Sequence, residues 1–267
     1  MDKKHDRLVK IETFGNVDKD LAEKMLSIVV DCFERLGPPM TYPVTLSIHE
    51  TSKGLGFFAS HDASDGKPVI NIYLDRISGL PAKVVEAGVR RQSAHSILHG
   101  SPEYYMAIFP DELKQAIFEL DLSEHLVAHV LQGAYMGAKE YNVTKFLVEG
   151  GFVEDQIAYA KFMLEPSDED LLAWKLARRH PTARIIYLVL TIRDISCAIP
   201  LLGNPNHGWE IIESLEGKIK HLQKKYRLTI QKIIGEVSRN FSEDTFNNIN
   251  FLIKAIVKDL IRREVTF

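Results

Sequence analysis

The sequence predicts an α+β fold that is predominantly helical. Apolar and polar residues alternate in short runs between residues 44 and 74, as expected for strands with one buried face. From residue 82 onward, apolar residues recur at helical spacing almost to the C-terminus. We therefore expect a small, early, mostly antiparallel sheet followed by a helical C-terminal half.

The early part of the chain contains one predicted helix and three predicted strands. The helix covers residues 19–36 and ends at Gly37-Pro38-Pro39, because proline and glycine interrupt helical structure. A polar segment over residues 61–68, rich in turn-forming residues, separates the last two strands. The predicted strands are residues 44–49, 54–60 and 69–74.

Helices are predicted for most of the remaining chain. Ser167 and Asp170 have the spacing of a capping box, and Pro181 separates two helices. The last two helices are long and amphipathic, so we expect them to pack as a hairpin. The predicted helices are residues 83–99, 111–120, 123–139, 149–164, 168–179, 182–199, 207–239 and 243–264.

Composition excludes several classes of function. The 267 residues carry a formal net charge of −3, which gives no basic footprint for nucleic acid. The most apolar run, residues 185–202, contains Arg193 and Asp194 near its middle, and the N-terminus lacks the apolar core of a signal peptide. We therefore expect no nucleic acid and no membrane as partners. Cys32 and Cys197 are expected to be buried thiols, as in a cytoplasmic protein.

One helix carries a recognisable motif. Residues 91–95 read Arg-Gln-Ser-Ala-His, and the segment continues through His99 to Gly100. This segment resembles the active-site helix of gluzincin-like metallopeptidases, in which His-Glu-x-x-His stands at the positions of residues 91–95. A strand of the type seen at residues 70–75 comes just before the motif, as the zincin edge strand does.

A later helix extends the resemblance. Residues 154–166 look like the zincin helix that supplies the third zinc ligand. Alignment on the Leu-x-Pro end of that helix places the acidic ligand at Asp155, with Glu154 adjacent. The resemblance covers roughly residues 44–166, and we expect a zincin-like α+β region over residues 1–166 with a helical region packed on it over residues 167–267.

The two replaced positions imply lost chemistry. In the family, two histidines four residues apart share one zinc ion, and the glutamate activates the bound water. Arg91 is instead a permanent cation with no lone pair, and the amide of Gln92 accepts no proton at neutral pH. We therefore expect no catalytic residue and no cofactor. An ion pair of Arg91 with Asp155 or Glu154 would occupy the volume and charge of the metal.

A displaced metal site is the alternative. His95 and His99 are four residues apart on one helix face and could bind zinc with Asp155 or Glu149 as the third ligand. The residue after His95 is Ser96, so this site would lack the catalytic glutamate.

Other features of these histidines have structural explanations. His99 suits the last turn of a helix, and Gly100 suits the left-handed position that follows it. His125 and His129 form a second pair four residues apart. A solvated or half-buried helix face explains this pair without a metal. The turn over residues 61–65 contains His61 and two aspartates but matches no calcium-binding loop.

The sequence therefore predicts a zincin-like protein that has lost peptidase activity and acts as a binding or scaffolding module for a protein or peptide partner. Two alternatives stay open. One is a metal-dependent hydrolase that uses a displaced His95/His99 site. The other is a helical protein-interaction module, in which the long helices over residues 207–264 hold the partner.

Overall fold

A computed structural model describes residues 8–265 of the chain. The structure is 66% helical, with one small sheet near the N-terminus, which confirms the predicted fold class. The strands are β1 (Val9–Phe14), β2 (Val44–His49), β3 (Ala59–Asp62) and β4 (Val69–Tyr73). The helices are α1 (Lys19–Leu36), α2 (Leu74–Ile77), α3 (Ala82–Leu98), α4 (Asp111–Leu120), α5 (Glu124–Glu149), α6 (Val153–Leu164), α7 (Asp168–Ala177), α8 (Pro181–Ser196), α9 (Gly208–Ile219), α10 (Lys224–Asn240), α11 (Thr245–Ile256) and α12 (Arg262–Val265).

The sheet is mixed, with the strand order β1-β2-β4-β3. β1 and β4 both pair parallel with β2, and β3 pairs antiparallel with β4. The prediction of a mostly antiparallel sheet is therefore wrong. The helix α1 connects β1 to β2, and a crossover of this kind makes the two strands run in the same direction. The strand β1 was not predicted, and the second predicted strand, 54–60, begins ahead of β3.

The helices α1 and α3 pack on each other and on the sheet, which confirms the predicted position of the motif helix. Alternate residues of β2 and β4 turn fully buried side chains towards these helices, including Leu46, Ile48, Ile70 and Ile72. Burying one such side chain contributes about 1.5–3 kcal/mol. This apolar core holds the N-terminal half of α3 in place.

The chain divides into two compact units. The first unit contains the sheet and is formed by two segments, the chain up to Met106 and residues 145–159. The second unit is formed by residues 107–144 and the chain from Ala160 onward. The sequence had placed one boundary after residue 166. The helix α4 belongs to the second unit, because Glu112 and Glu119 on its surface form ion pairs with C-terminal helices. The chain passes from one unit to the other within α5 and within α6.

In the second unit, α10 and the C-terminal helices pair antiparallel. Lys232 Nζ lies 2.6 Å from Oδ1 of Asp259, and the Tyr226 hydroxyl lies 3.2 Å from Oε2 of Glu264. Early residues of α10 therefore meet late residues of the following segment. The predicted helix over residues 207–239 is divided into α9 and α10. None of the helices between residues 8 and 265 has the length and apolar character needed to cross a membrane.

Two local predictions are confirmed. The backbone N–H of Asp170 donates to Oγ of Ser167 at 3.0 Å, and that of Ser167 donates to Oδ2 of Asp170 at 3.1 Å, which forms the capping box of α7. Cys32 and Cys197 are both buried. Burial raises the pKa of the Cys32 thiol to about 12, so this side chain stays protonated at neutral pH.

Candidate functional site

The helix α3 places both replaced motif residues inside the protein. Arg91 is only 1% exposed, and Gln92 is 8% exposed. A guanidinium group remains charged when it is buried, so it needs hydrogen-bond acceptors or other favourable contacts around it. The neighbours of Arg91 therefore decide what this position can do.

Arg91 contacts two side chains of α6. Its Nη1 donates a hydrogen bond of 2.8 Å to Oε1 of Gln156, in fully buried surroundings. Its guanidinium carbon also lies 4.6 Å from the centre of the Tyr159 ring, a favourable cation–π distance. The first motif position is thus joined to α6 by an arginine–glutamine hydrogen bond.

Asp155, the predicted third ligand, is bound by the neighbouring arginine. Arg90 Nη1 lies 2.5 Å from Oδ2 of Asp155, whose side chain is buried. Successive helix residues point about 100° apart, so Arg90 and Arg91 contact different residues of α6. Asp155 faces Arg90, and the residue that faces Arg91 is the next one, Gln156.

A turn at two glycines positions α6 against α3. Gly151 has a φ of 87°, in the left-handed region that favours glycine. A Cβ atom at Gly150 would lie 2.0 Å from Cδ2 of Leu36 on α1, so a larger residue would require the Leu36 side chain or the turn to move. Nη2 of Arg35 donates to the Gly150 carbonyl at 2.8 Å and fastens the same turn to α1.

A surface cleft of about 250 Å³ lies beside the Arg90–Asp155 pair. The ring of Phe152 packs against Arg90, whose guanidinium carbon is 4.7 Å from the ring centre. The cleft offers an apolar patch with charges of both signs around it. Its lining residues are Lys83, Glu86, Arg90, Gly151, Phe152, Val153, Glu154 and Asp155.

The two histidines of the proposed displaced site are in direct contact. Nδ1 of His95 lies 3.0 Å from Nδ1 of His99, so one ring donates a hydrogen bond to the other. His99 is fully buried and His95 is 7% exposed. The ring of His61, on β3, stacks on that of His95 with centroids 6.0 Å apart. Nδ1 of His61 lies 2.7 Å from the Tyr105 hydroxyl.

The other predicted ligands do not complete this site. Asp155 is held by Arg90, and Glu149 is an exposed residue at the end of α5, 3.8 Å from Lys145. Between residues 8 and 265, no group of three or more His, Cys, Asp and Glu side chains is arranged to hold a metal ion. The structure therefore brings His95 and His99 together without Asp155 or Glu149.

Sequence reasoning missed three residues of this region. Gln156 and Tyr159 lie in the later helix that the sequence analysis singled out, and Gln156 is the residue after Asp155, the predicted ligand. His61 is distant in the chain from His95, and the pairing of β3 with β4 beside α3 brings it near. No local pattern in the sequence could indicate that contact.

Gly100 ends α3 for a different reason from the one predicted. It is not among the glycines with positive φ, and the C-cap residue is His99, with φ −137°. A Cβ atom at Gly100 would lie 2.2 Å from the carbonyl oxygen of Ser96. The close approach of two backbone segments, and not a left-handed conformation, requires glycine here.

The substitution Gly100→Ala is expected to lower the free energy of unfolding by about 2 kcal/mol, because the backbone must move to accommodate the methyl group. Gly217→Ala is the control, since no atom lies within 4 Å of a Cβ built at that helical position. The control is expected to be neutral or to stabilise by up to about 1 kcal/mol. Urea unfolding measures both, and equal behaviour of the two variants would contradict the prediction.

Comparison of the chain with protein-family models, curated proteins and solved structures finds no match.

Proposed function

We propose that this chain is a zincin-like protein that has lost peptidase activity and acts as a binding or scaffolding module for a protein or peptide. The observation that carries the proposal is the buried hydrogen bond between Arg91 and Gln156. It joins the first motif position to the helix that resembles the ligand-bearing helix of zincins. A hydrogen bond between two side chains of the same chain thus occupies the place that the resemblance assigns to a metal.

The chemistry of these side chains supports loss of hydrolysis. Arginine has no lone pair for a metal ion, and its positive charge at this position repels a divalent cation. Gln92 is buried and has no group that takes a proton from water at neutral pH. Without an activated water, the family's hydrolytic step has no nucleophile.

The arrangement of elements supports the resemblance in most respects. The motif helix follows β4 closely, β3 packs beside it, and α6 contacts it at the motif position. One feature departs from the expected pattern. The strand that precedes α3 is β4, an interior strand, and the sheet edge beside α3 is β3.

A binding role is supported by the contact between α3 and α6, which Arg91 maintains in place of a metal ligand. The Arg91–Gln156 and Arg90–Asp155 pairs both join α3 to α6, so the cleft beside Arg90 and Asp155 stays formed without a metal. This cleft combines the Phe152 ring with charged side chains, and mixed surfaces of this type suit a peptide or protein side chain.

A peptidase assay tests the proposal. Purified protein with added zinc is mixed with an unfolded protein substrate such as casein, and new amino termini are counted. Hydrolysis is expected to equal that of the Gln92→Ala variant, because neither protein has a general base at this position. The variant is first checked for normal folding by circular dichroism. Zinc-dependent hydrolysis that is present in the native protein and absent in Gln92→Ala would overturn the proposal.

A further inference from the structure

We propose that the free edge of β1 pairs antiparallel with β1 of a second copy of this chain, which joins the two sheets into one. The surface lies in the first compact unit, at the side of the sheet opposite β3. It includes no residue of α3 or α6, so the inference does not rest on the proposed function.

One side of β1 presents backbone groups to no neighbouring strand. β1 is the first strand in the order β1-β2-β4-β3, and β2 is the strand that pairs with it among residues 8–265. The carbonyls of Leu8 and Phe14 accept hydrogen bonds from the β2 side. Backbone groups alternate in direction along a strand, so those of Val9, Ile11 and Thr13 point to the free edge. A row of such groups is a template for a further strand.

β1 lacks several features that protect sheet edges from pairing. It contains no proline, and its pairing with β2 continues over all six residues without a bulge. Ile11 and Phe14 are exposed apolar side chains on this edge strand. The Phe14 ring stacks on that of His49, with centroids 4.6 Å apart, which fixes an aromatic surface beside the free edge. Apolar surface next to unpaired backbone favours the addition of a strand.

The order of charges along β1 selects a second copy as the occupant. Lys10 and Glu12 lie on the same face of the strand, and Nζ of Lys10 is 2.6 Å from Oε1 of Glu12. When Ile11 stands opposite Ile11 of the second copy, each Lys10 stands opposite a Glu12 of the other chain. Two pairs of opposite charge then form across the two-fold axis, and such cross-strand pairs are favourable.

The same register also satisfies the backbone. Ile11 exchanges hydrogen bonds with its counterpart, and Val9 of each copy exchanges them with Thr13 of the other, which gives about six N–H···O bonds. A shift of two residues in either direction would place Lys10 opposite Lys10 or Glu12 opposite Glu12, and like charges in these positions are unfavourable. The pairing is closed by its two-fold symmetry, so it produces a dimer and no longer assembly.

Sedimentation equilibrium of charge-reversal variants tests the proposal. The native protein is expected to form dimers. The variant Lys10→Glu should dimerise at least about tenfold more weakly, because both cross-strand pairs become repulsive. The double variant Lys10→Glu/Glu12→Lys exchanges the two charges and should return the dimerisation constant to near the native value. Both side chains are at least partly exposed, so the substitutions are compatible with the fold, which circular dichroism checks.

The matched control is Lys67→Glu, which makes the same charge change at an exposed position in the turn between β3 and β4, at the other edge of the sheet. It should leave dimerisation unchanged. A native protein that stays monomeric would overturn the proposal and leave the edge to a strand of another protein. A native dimer that Lys10→Glu does not weaken would also overturn it, as would a double variant no stronger than Lys10→Glu.

Disulfide formation between copies tests the register. Cα atoms of a non-hydrogen-bonded antiparallel pair are about 4.5 Å apart, within disulfide range, whereas diagonal neighbours are about 7–8 Å apart and beyond it. A mixture of Lys10→Cys and Glu12→Cys chains should therefore form a covalent dimer on oxidation, and neither variant alone should do so. The native Cys32 and Cys197 are buried and should not react. Equal cross-linking of the mixture and of each single variant would contradict the antiparallel register centred on Ile11.

Discussion

The triple variant Arg91→His/Gln92→Glu/Gln156→Glu is expected to bind zinc with a dissociation constant of micromolar or below, where the starting protein has no site at this position. The introduced histidine and His95 would stand one helical turn apart. The carboxylate introduced at position 156 would lie where the Gln156 oxygen now meets Arg91, 2.8 Å away. These three ligands leave a fourth position for water, as in catalytic zinc sites.

The control variants show which introduced side chains are needed to bind zinc. All variants carry His61→Asn, which removes a neighbouring imidazole that could compete with the introduced histidine for His95. The double variant Arg91→His/Gln92→Glu keeps Gln156, and we expect it to bind zinc at least about tenfold more weakly than the triple variant. The single change Gln92→Glu should have little effect, because Arg91 still repels the ion. Calorimetry measures the affinities.

The result also decides the position of the third ligand. If the double variant binds as tightly as the triple variant, then Asp155 has left Arg90 to serve as the ligand, as the sequence resemblance had placed it. If a correctly folded triple variant takes up no zinc, α3 and α6 are not the metal-binding helices of a zincin. In that case the zincin-like part of the proposed function is wrong.

The substitution Gln156→Leu is expected to lower the free energy of unfolding by about 2 kcal/mol. It removes one hydrogen-bond acceptor of the buried Arg91 guanidinium, and a hydrogen bond to a charged group contributes about 1.5–3 kcal/mol. The Tyr159 ring remains in contact with the arginine, so the lower end of this range is expected. Urea unfolding followed by circular dichroism measures the change.

The double variant Arg91→Met/Gln156→Leu is the matched control for this second prediction. It replaces both members of the arginine–glutamine hydrogen bond with apolar side chains of similar length, and such a paired replacement can be nearly neutral. We expect it to recover most of the stability that Gln156→Leu loses. If Gln156→Leu alone unfolds at the same urea concentration as the native protein, the arginine–glutamine hydrogen bond does not stabilise the interface between α3 and α6.

The helices could be predicted because their signals are local. The predicted motif helix over residues 83–99 agrees closely with α3, and the capping box at Ser167 and Asp170 lies where its spacing indicated. Apolar periodicity, proline and capping residues act within one or two turns of the chain, so the sequence alone contains them. The replacement of both motif residues by Arg91 and Gln92 is likewise visible in the sequence, together with its chemical consequence.

Only the tertiary structure decided the strand directions and the partners of the motif residues. The parallel pairing of β2 with β4 depends on the path of the chain through β3, and alternation of apolar residues is the same in either direction. Whether Arg91 meets Asp155 or Gln156 depends on a rotation of α6 of about 100°, which the sequence pattern of α6 does not define. The contact of His61 with His95 arises because strand pairing brings distant residues together, and an interaction of that kind leaves no signal at either position.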